Sequence, residues 1–141
     1  MVMNTGPQES ILLMEQKELK TKASGNASLH YMPCKIKHNG PADVDGFFKP
    51  YVEKDSNEVM KGSFRGYPLQ GIKLELPNEY KGLILVEEEK SGSAAQGISS
   101  VVNQNFNSIT YWNWDSIPSR TDQISDSFAW LQLANIIHKA D

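Results

Sequence analysis

Met60-Lys61-Gly62-Ser63-Phe64-Arg65-Gly66-Tyr67-Pro68-Leu69-Gln70-Gly71-Ile72-Lys73-Leu74-Glu75-Leu76-Pro77 is the stretch whose pattern decides the fold class. Met60, Gly62 and Phe64 alternate with Lys61, Ser63 and Arg65. Further on, Ile72, Leu74 and Leu76 alternate with Lys73 and Glu75. Successive side chains of a strand point to opposite faces, so this period of two gives each segment an apolar and a polar side. Gly66-Tyr67-Pro68 lies between them as a turn. The reading is two half-buried β-strands.

Toward the C-terminus, Pro77-Asn78 turns the chain and Gly82-Leu83-Ile84-Leu85-Val86 follows as an unbroken apolar run. Such a run is expected of a strand covered on both faces. Residues 90–104 are rich in Ser, Gly, Ala, Asn and Gln and read as an exposed loop. Phe106, Thr110, Trp112 and Trp114 then share one strand parity while Ile109 and Tyr111 hold the other, so both faces of this last strand need cover. From about Asp122 to His138 the chain reads as a helix, with Trp130, Leu133, Ala134 and Ile137 forming the stripe expected to seal against a sheet.

Toward the N-terminus, Leu29 and Tyr31 alternate with His30 and Met32, and Cys34 and Ile36 with Lys35 and Lys37. The apolar phase slips at Pro33, a residue that cannot donate to a β ladder and so marks an edge or bulge. Asn39-Gly40-Pro41 is a turn, and Phe47-Phe48 inserts two large apolar groups before Pro50. Residues 1–25 read as a flexible tail whose Glu9–Lys22 segment is a helix only when something docks on it, and residues 26–141 as one domain. The count is four to six short strands and one C-terminal helix, an all-β chain. One helix cannot cover two strands that are apolar on both faces. Either the sheet closes on itself as a small barrel, or a second chain completes it.

Composition narrows the function. With 14 Lys and Arg against 17 Asp and Glu, the formal charge is −3. Affinity for nucleic acid comes chiefly from neutralising phosphates, so this balance argues against a module that grips nucleic acid alone. Lys35, Lys37 and His38 form a local basic candidate patch. Cys34 is the sole cysteine, which leaves no intramolecular disulfide and no cysteine-based zinc site. No apolar run reaches the ~18 residues of a membrane span. Ile11-Leu12-Leu13-Met14 is too short for a signal-peptide core, and without such a signal Asn26-Ala27-Ser28 is only the spelling of a glycosylation acceptor. The expectation is a soluble intracellular protein.

The residues capable of chemistry are scattered. A metal-dependent nuclease needs converging carboxylates. Asp43 and Asp45 flank a Gly-Pro-rich loop, and consecutive Glu87, Glu88 and Glu89 would alternate faces on a strand. His30, His38 and His138 have strand-register or helix-end settings that favour structural roles. Cys34 is four residues from His30 and from His38, over ~13 Å along a strand, too far for activation. Tyr111, Trp112 and Trp114 read as core more readily than as a base-stacking platform, since no Arg or Lys is interleaved with them. Arg65 reads as a paired or interface guanidinium. No catalytic, cofactor or metal residue is nominated.

Taken in order, certain blocks resemble a known family. Leu29-His30-Tyr31-Met32-Pro33-Cys34, Asn39-Gly40-Pro41-Ala42 and Phe47-Phe48 open the likeness. Phe64-Arg65-Gly66, Leu69-Gln70-Gly71 and Leu76-Pro77 continue it, and Tyr111-Trp112-Asn113, Ile117-Pro118 and the Trp130…Ala134…Ile137-His138 helix close it. Over about residues 29–138 the chain is similar to the C subunits of eukaryotic type-two ribonuclease H. The resemblance implies a nuclear, non-catalytic scaffold without a cofactor. It implies that an A subunit holds the metal-binding carboxylates, and that the B and C subunits interlock as a triple β-barrel docked on A. The trimer cuts RNA in RNA–DNA hybrids and at single ribonucleotides in DNA, so this chain would meet nucleic acid through the complex. Many relatives carry a longer acidic insertion where this chain has only about residues 87–104. Residues expected at the partner interface or in the core are Phe47, Phe48, Phe64, Arg65, Leu76, Pro77, Tyr111, Trp112, Pro118, Trp130 and Ile137. Rival readings are a single-stranded nucleic-acid-binding β module using the Tyr111 and Trp112 face, and a stand-alone nuclease.

Overall fold

The computed structural model describes residues 26–89 and 98–139 of the chain. The expectations for the tail, residues 1–25, and for residues 90–97 of the loop lie outside the described residues.

The deciding stretch folds as an antiparallel hairpin. It joins β3 (Met60–Phe64) to β4 (Tyr67–Glu75), in a register that sets Met60 opposite Gly71 and Phe64 opposite Tyr67. The turn is tighter than expected. Arg65 (φ 52°) and Gly66 (φ 81°) alone make it, both in the left-handed region that two-residue hairpin turns require. Tyr67 and Pro68 therefore belong to β4, with Pro68 opposite Ser63.

Around this hairpin runs a five-stranded sheet in the order β1-β7-β4-β3-β2, where β1 is Leu29–Tyr31, β2 is Glu53–Lys54 and β7 is Ser108–Trp114. β1 runs parallel to β7 and the other pairs are antiparallel. The sheet is open, which corrects the barrel expectation for the chain taken alone. Its two edges are strands of three and two residues, too short to offer the ladder needed to zip a barrel shut. Cys34 and Ile36 fall after β1 in irregular chain, yet both still pack against the core with Met32.

A second sheet pairs β5 (Gly82–Glu89) with β6 (Ile98–Phe106), with a register shift between Ile84 and Leu85. Three expectations change here. The loop expected over 90–104 gives way to a strand from Ile98 onward, because the backbone ladder to β5 forms despite the polar composition. The last strand breaks at Asn107, so Phe106 pairs with Gly82 of β5 while Trp112 pairs with Gly71 of β4. Leu83, Leu85 and Val86 are exposed, so nothing among the described residues covers both faces of β5. The ribbon is tied to the main sheet through Ala27 N to Asn105 O (2.8 Å) and Leu76 N to Asn107 O (2.8 Å).

One face of the main sheet carries the core of Met32, Phe48, Leu69 and Trp112. The Trp112 indole lies across two glycines of the hairpin. A Cβ added at Gly71 would stand 2.7 Å from its Cε3, and one at Gly62 would stand 3.5 Å from its Cη2. Phe48 closes this face from a short helix, α1 (Val44–Phe47), and the 3-10 turn Lys49–Tyr51 behind it. Asp43 caps α1 by accepting the Gly46 amide at 2.9 Å. Only one of the expected pair inserts: Phe48 is 4% exposed and Phe47 80%, since a helical turn swings successive side chains about 100° apart.

The other face meets α2 (Gln123–Lys139), with Ile72 and Leu74 across from Ser125, Phe128 and Ala129. The expected sealing stripe is corrected. Trp130 is 63% exposed and Leu133 and Ile137 are exposed too, while Ser125 is buried and Phe128, Leu131 and Ala134 are half-buried. Polar anchors set this rotation. Asp122, just before the helix, accepts from Asn113 Nδ2 (3.0 Å) and Ser119 N (2.9 Å). Near its far end Asn135 Nδ2 donates to Glu79 (2.8 Å), which also pairs with Lys139. No helix among the described residues is long and apolar enough to cross a membrane.

Candidate partner-facing surface

The residues nominated from sequence separate into an interior set and a surface set. Trp112 is 0% exposed and Phe48 and Pro118 are also buried, while Phe64 packs half-buried against the same core. Leu76, Pro77 and Tyr111 are half-buried. Phe47, Arg65, Trp130 and Ile137 stand at the surface.

Trp112 is held by chemistry as well as packing. Its Nε1–H donates to His30 Nδ1 at 3.0 Å, and Phe48 meets both rings edge-on at 5.4 and 5.8 Å. The bond requires an unprotonated Nδ1, so the neutral ring carries its hydrogen on Nε2, which lies 3.4 Å from Ser28 Oγ. Burial, reinforced by the nearby Lys49 charge, pushes the His30 pKa below the ordinary histidine value. This is a structural histidine. His38 sits elsewhere, its Nε2 donating to the Pro41 carbonyl at 3.2 Å, and His138 is exposed at the end of α2.

The aromatic strand presents no shared stacking platform. Trp112 is enclosed. Tyr111 is on the opposite face beside Tyr31, with ring centroids 5.6 Å apart, and burial raises its pKa. Trp114 donates its Nε1–H to the Pro33 carbonyl at 3.0 Å and meets Tyr67 edge-on at 5.8 Å. The carboxylates are likewise engaged locally, with Asp43 capping α1 and Asp45 paired with Lys49. Among the described residues no three His, Cys, Asp or Glu groups are placed to share a metal ion.

Among the described residues, exposed apolar side chains gather on β5 and on α2. On β5, Leu83, Leu85 and Val86 are exposed, and the outer edge of that strand has no partner among the described residues. On α2, Trp130, Leu133, Ile136 and Ile137 form a contiguous exposed stripe. The sequence places Trp130 and Ile137 at a partner interface or in the core and has their stripe seal against the sheet, whereas the stripe is exposed; for β5 it asks for cover from the closed sheet or from a second chain, and the described residues supply none. The signal for a surface role is present in both cases as apolar residues in excess of what one small domain covers.

Residues 28–137 match the family described as Ribonuclease H2 non-catalytic subunit (Ylr154p-like). The chain belongs to this family. Curated relatives include the ribonuclease H2 C subunit of Mus musculus, 27% identical over 83% of this chain and 84% of that protein. The C subunit of the Bos taurus enzyme is 26% identical over 79% and 81% respectively. An uncharacterised protein of Schizosaccharomyces pombe is 27% identical over 83% of this chain and 88% of its own length. A ribonuclease H2 non-catalytic subunit works as a member of a complex with other subunits. Gly71 of Leu69-Gln70-Gly71, with Gly62, forms the slot that holds Trp112, while the Trp130 to Ile137 helix turns its stripe outward.

Proposed function

We propose that this chain is the C-type scaffold of a ribonuclease H2 heterotrimer, interlocked with a B subunit as a triple β-barrel and supporting a catalytic A subunit. In this reading the nuclear complex cleaves RNA in RNA–DNA hybrids and at ribonucleotides embedded in DNA, with the chemistry done by A. This chain reaches nucleic acid only through the complex. The observation that carries the reading is β5, an eight-residue strand whose partner on one side is β6 and whose other edge and apolar side chains are uncovered among the described residues. A two-stranded ribbon is marginal in water by itself. A long apolar edge invites a further strand, and strand addition by a second chain is a standard way to cover one.

Co-expression with a B subunit is the test. The chain should aggregate or self-associate alone and elute as a defined complex with B. Leu83→Asp with Leu85→Asp should abolish that complex. Complex formation unaffected by both substitutions would show that β5 is not the joint. A fluorescent fusion tests the compartment: nuclear signal is expected, and exclusion from the nucleus contradicts that part of the reading.

A further inference from the structure

We propose that the groove between segment 34–38 and the β3–β4 turn binds an acidic peptide segment of a protein partner. The groove holds about 650 Å³ and is lined by Cys34, Ile36, Phe64, Tyr67 and Trp114 together with Lys35, Lys37, His38 and Arg65. No carboxylate lines it among the described residues, although acids outnumber bases in the chain, 17 to 14.

The charges in the groove are unspent. Lys49, Lys54, Lys61, Lys73 and Lys139 each hold a carboxylate partner. Lys35, Lys37, Arg65, Lys81 and Arg120 hold none among the described residues, and three of these five, Lys35, Lys37 and Arg65, line this one groove. Among the described residues Arg65 rests on the Phe64 ring, 5.4 Å from its centroid. Cations gathered without counter-charges repel one another, and an arriving anion relieves that repulsion. The floor is apolar: Cys34, Ile36 and Phe64 pack against the core from beneath. An occupant therefore needs carboxylates for the rim and an apolar side chain for the floor.

The aromatic geometry favours a peptide over single-stranded nucleic acid. Bases stack on open ring faces. Here Tyr67 and Trp114 meet at 70°, and Trp114 is tethered by its Nε1–H to Pro33. The two rings make a corner, which receives a side chain, rather than a ledge for successive bases. Arg65 at the turn adds a planar fork suited to a carboxylate. This groove lies on the main sheet, apart from the β5 ribbon, so the proposal stands independently of the B-subunit joint.

Peptide selection tests it. The full-length chain, in the assembly with which it purifies, is screened against a random peptide library beside the Lys35→Gln/Lys37→Gln variant. Both lysines are exposed, so the variant should keep the wild-type melting temperature. The wild type should enrich peptides with an aromatic or aliphatic residue flanked by Asp or Glu. A labelled peptide of that consensus should bind about tenfold more weakly to the variant, and more weakly as salt rises from about 50 to about 300 mM. Tyr67→Ala should weaken it as well. Failure to enrich, enrichment of basic or neutral peptides, or equal affinity for the variant overturns the proposal. So does a labelled single-stranded oligonucleotide that binds the wild type, is lost in the variant and has no peptide counterpart, which would assign the groove to nucleic acid.

Discussion

Trp112 joins three levels of the structure. It pairs opposite Gly71 in the ladder, lies over Gly71 and Gly62 in the core, and donates to His30 on the edge strand. Trp112→Ala removes the packing and the hydrogen bond together, and truncation of a buried tryptophan costs about 3–5 kcal/mol. A small domain has roughly 5–15 kcal/mol in total. The expected outcome is a chain that no longer yields soluble complex, rather than a folded complex with weakened substrate binding. Unchanged thermal melting with lost hybrid binding would return the base-stacking role to Trp112. Gly71→Ala approaches the same slot from the other side. Its Cβ would stand 2.7 Å from a ring that is walled in, and overpacking of this kind costs about 1–3 kcal/mol. A denaturant midpoint equal to wild type would mean the ring is free to move.

His30 adds a pH dependence at the same point. Its folded pKa lies below the unfolded value, so below the ordinary histidine pKa the unfolded chain takes up the proton more readily. Its contribution to stability is complete above that ordinary value and is lost as pH falls through the folded pKa. Denaturant midpoints should therefore drop between about pH 7.5 and about pH 5.5, on either side of the ordinary histidine value, and His30→Asn should flatten the slope in that window. An equal slope in the variant would assign the acid sensitivity elsewhere.

At the scale of elements, what can be read from sequence depends on where the information resides. β3 and β4 are legible because their alternation is local, and α2 because its composition and its leading Asp122 are local too. The face that α2 buries is not legible. Asn113 and Glu79 fix its rotation, and both come from outside the helix. β6 is hidden because Ser99, Ser100, Asn103 and Gln104 have the composition of a loop, and only pairing with β5 reveals a strand. Among the nominated residues that lie inside, Phe48, Phe64, Tyr111 and Trp112 follow from aromatic character. The surface set does not, because an apolar residue in excess looks the same whether it faces the chain's own core or a partner. α2 gives a direct test of that distinction. Trp130→Ser should change the stability of the purified subunit by no more than about 0.5 kcal/mol, as for other exposed sites, and should weaken assembly with its partners. Phe128→Ala should do the reverse, lowering stability first. If Trp130→Ser unfolds the chain while assembly tracks stability alone, the outward stripe is part of the chain's own fold.

For the whole molecule, the sheet is open, the ribbon exposes leucines, and one helix turns tryptophan and isoleucine to solvent. These are features of a part shaped for an assembly, in keeping with its place in the family of ribonuclease H2 non-catalytic subunits. The most direct test is reconstitution: the proposed catalytic A subunit and the proposed B subunit are combined with and without this chain, and cleavage of an RNA–DNA hybrid is measured with Mg²⁺. Cleavage should appear only when the chain is present, should fail with Leu83→Asp/Leu85→Asp, and should be absent for the chain alone. Full cleavage by A and B without this chain, or cleavage by this chain by itself, would contradict the account.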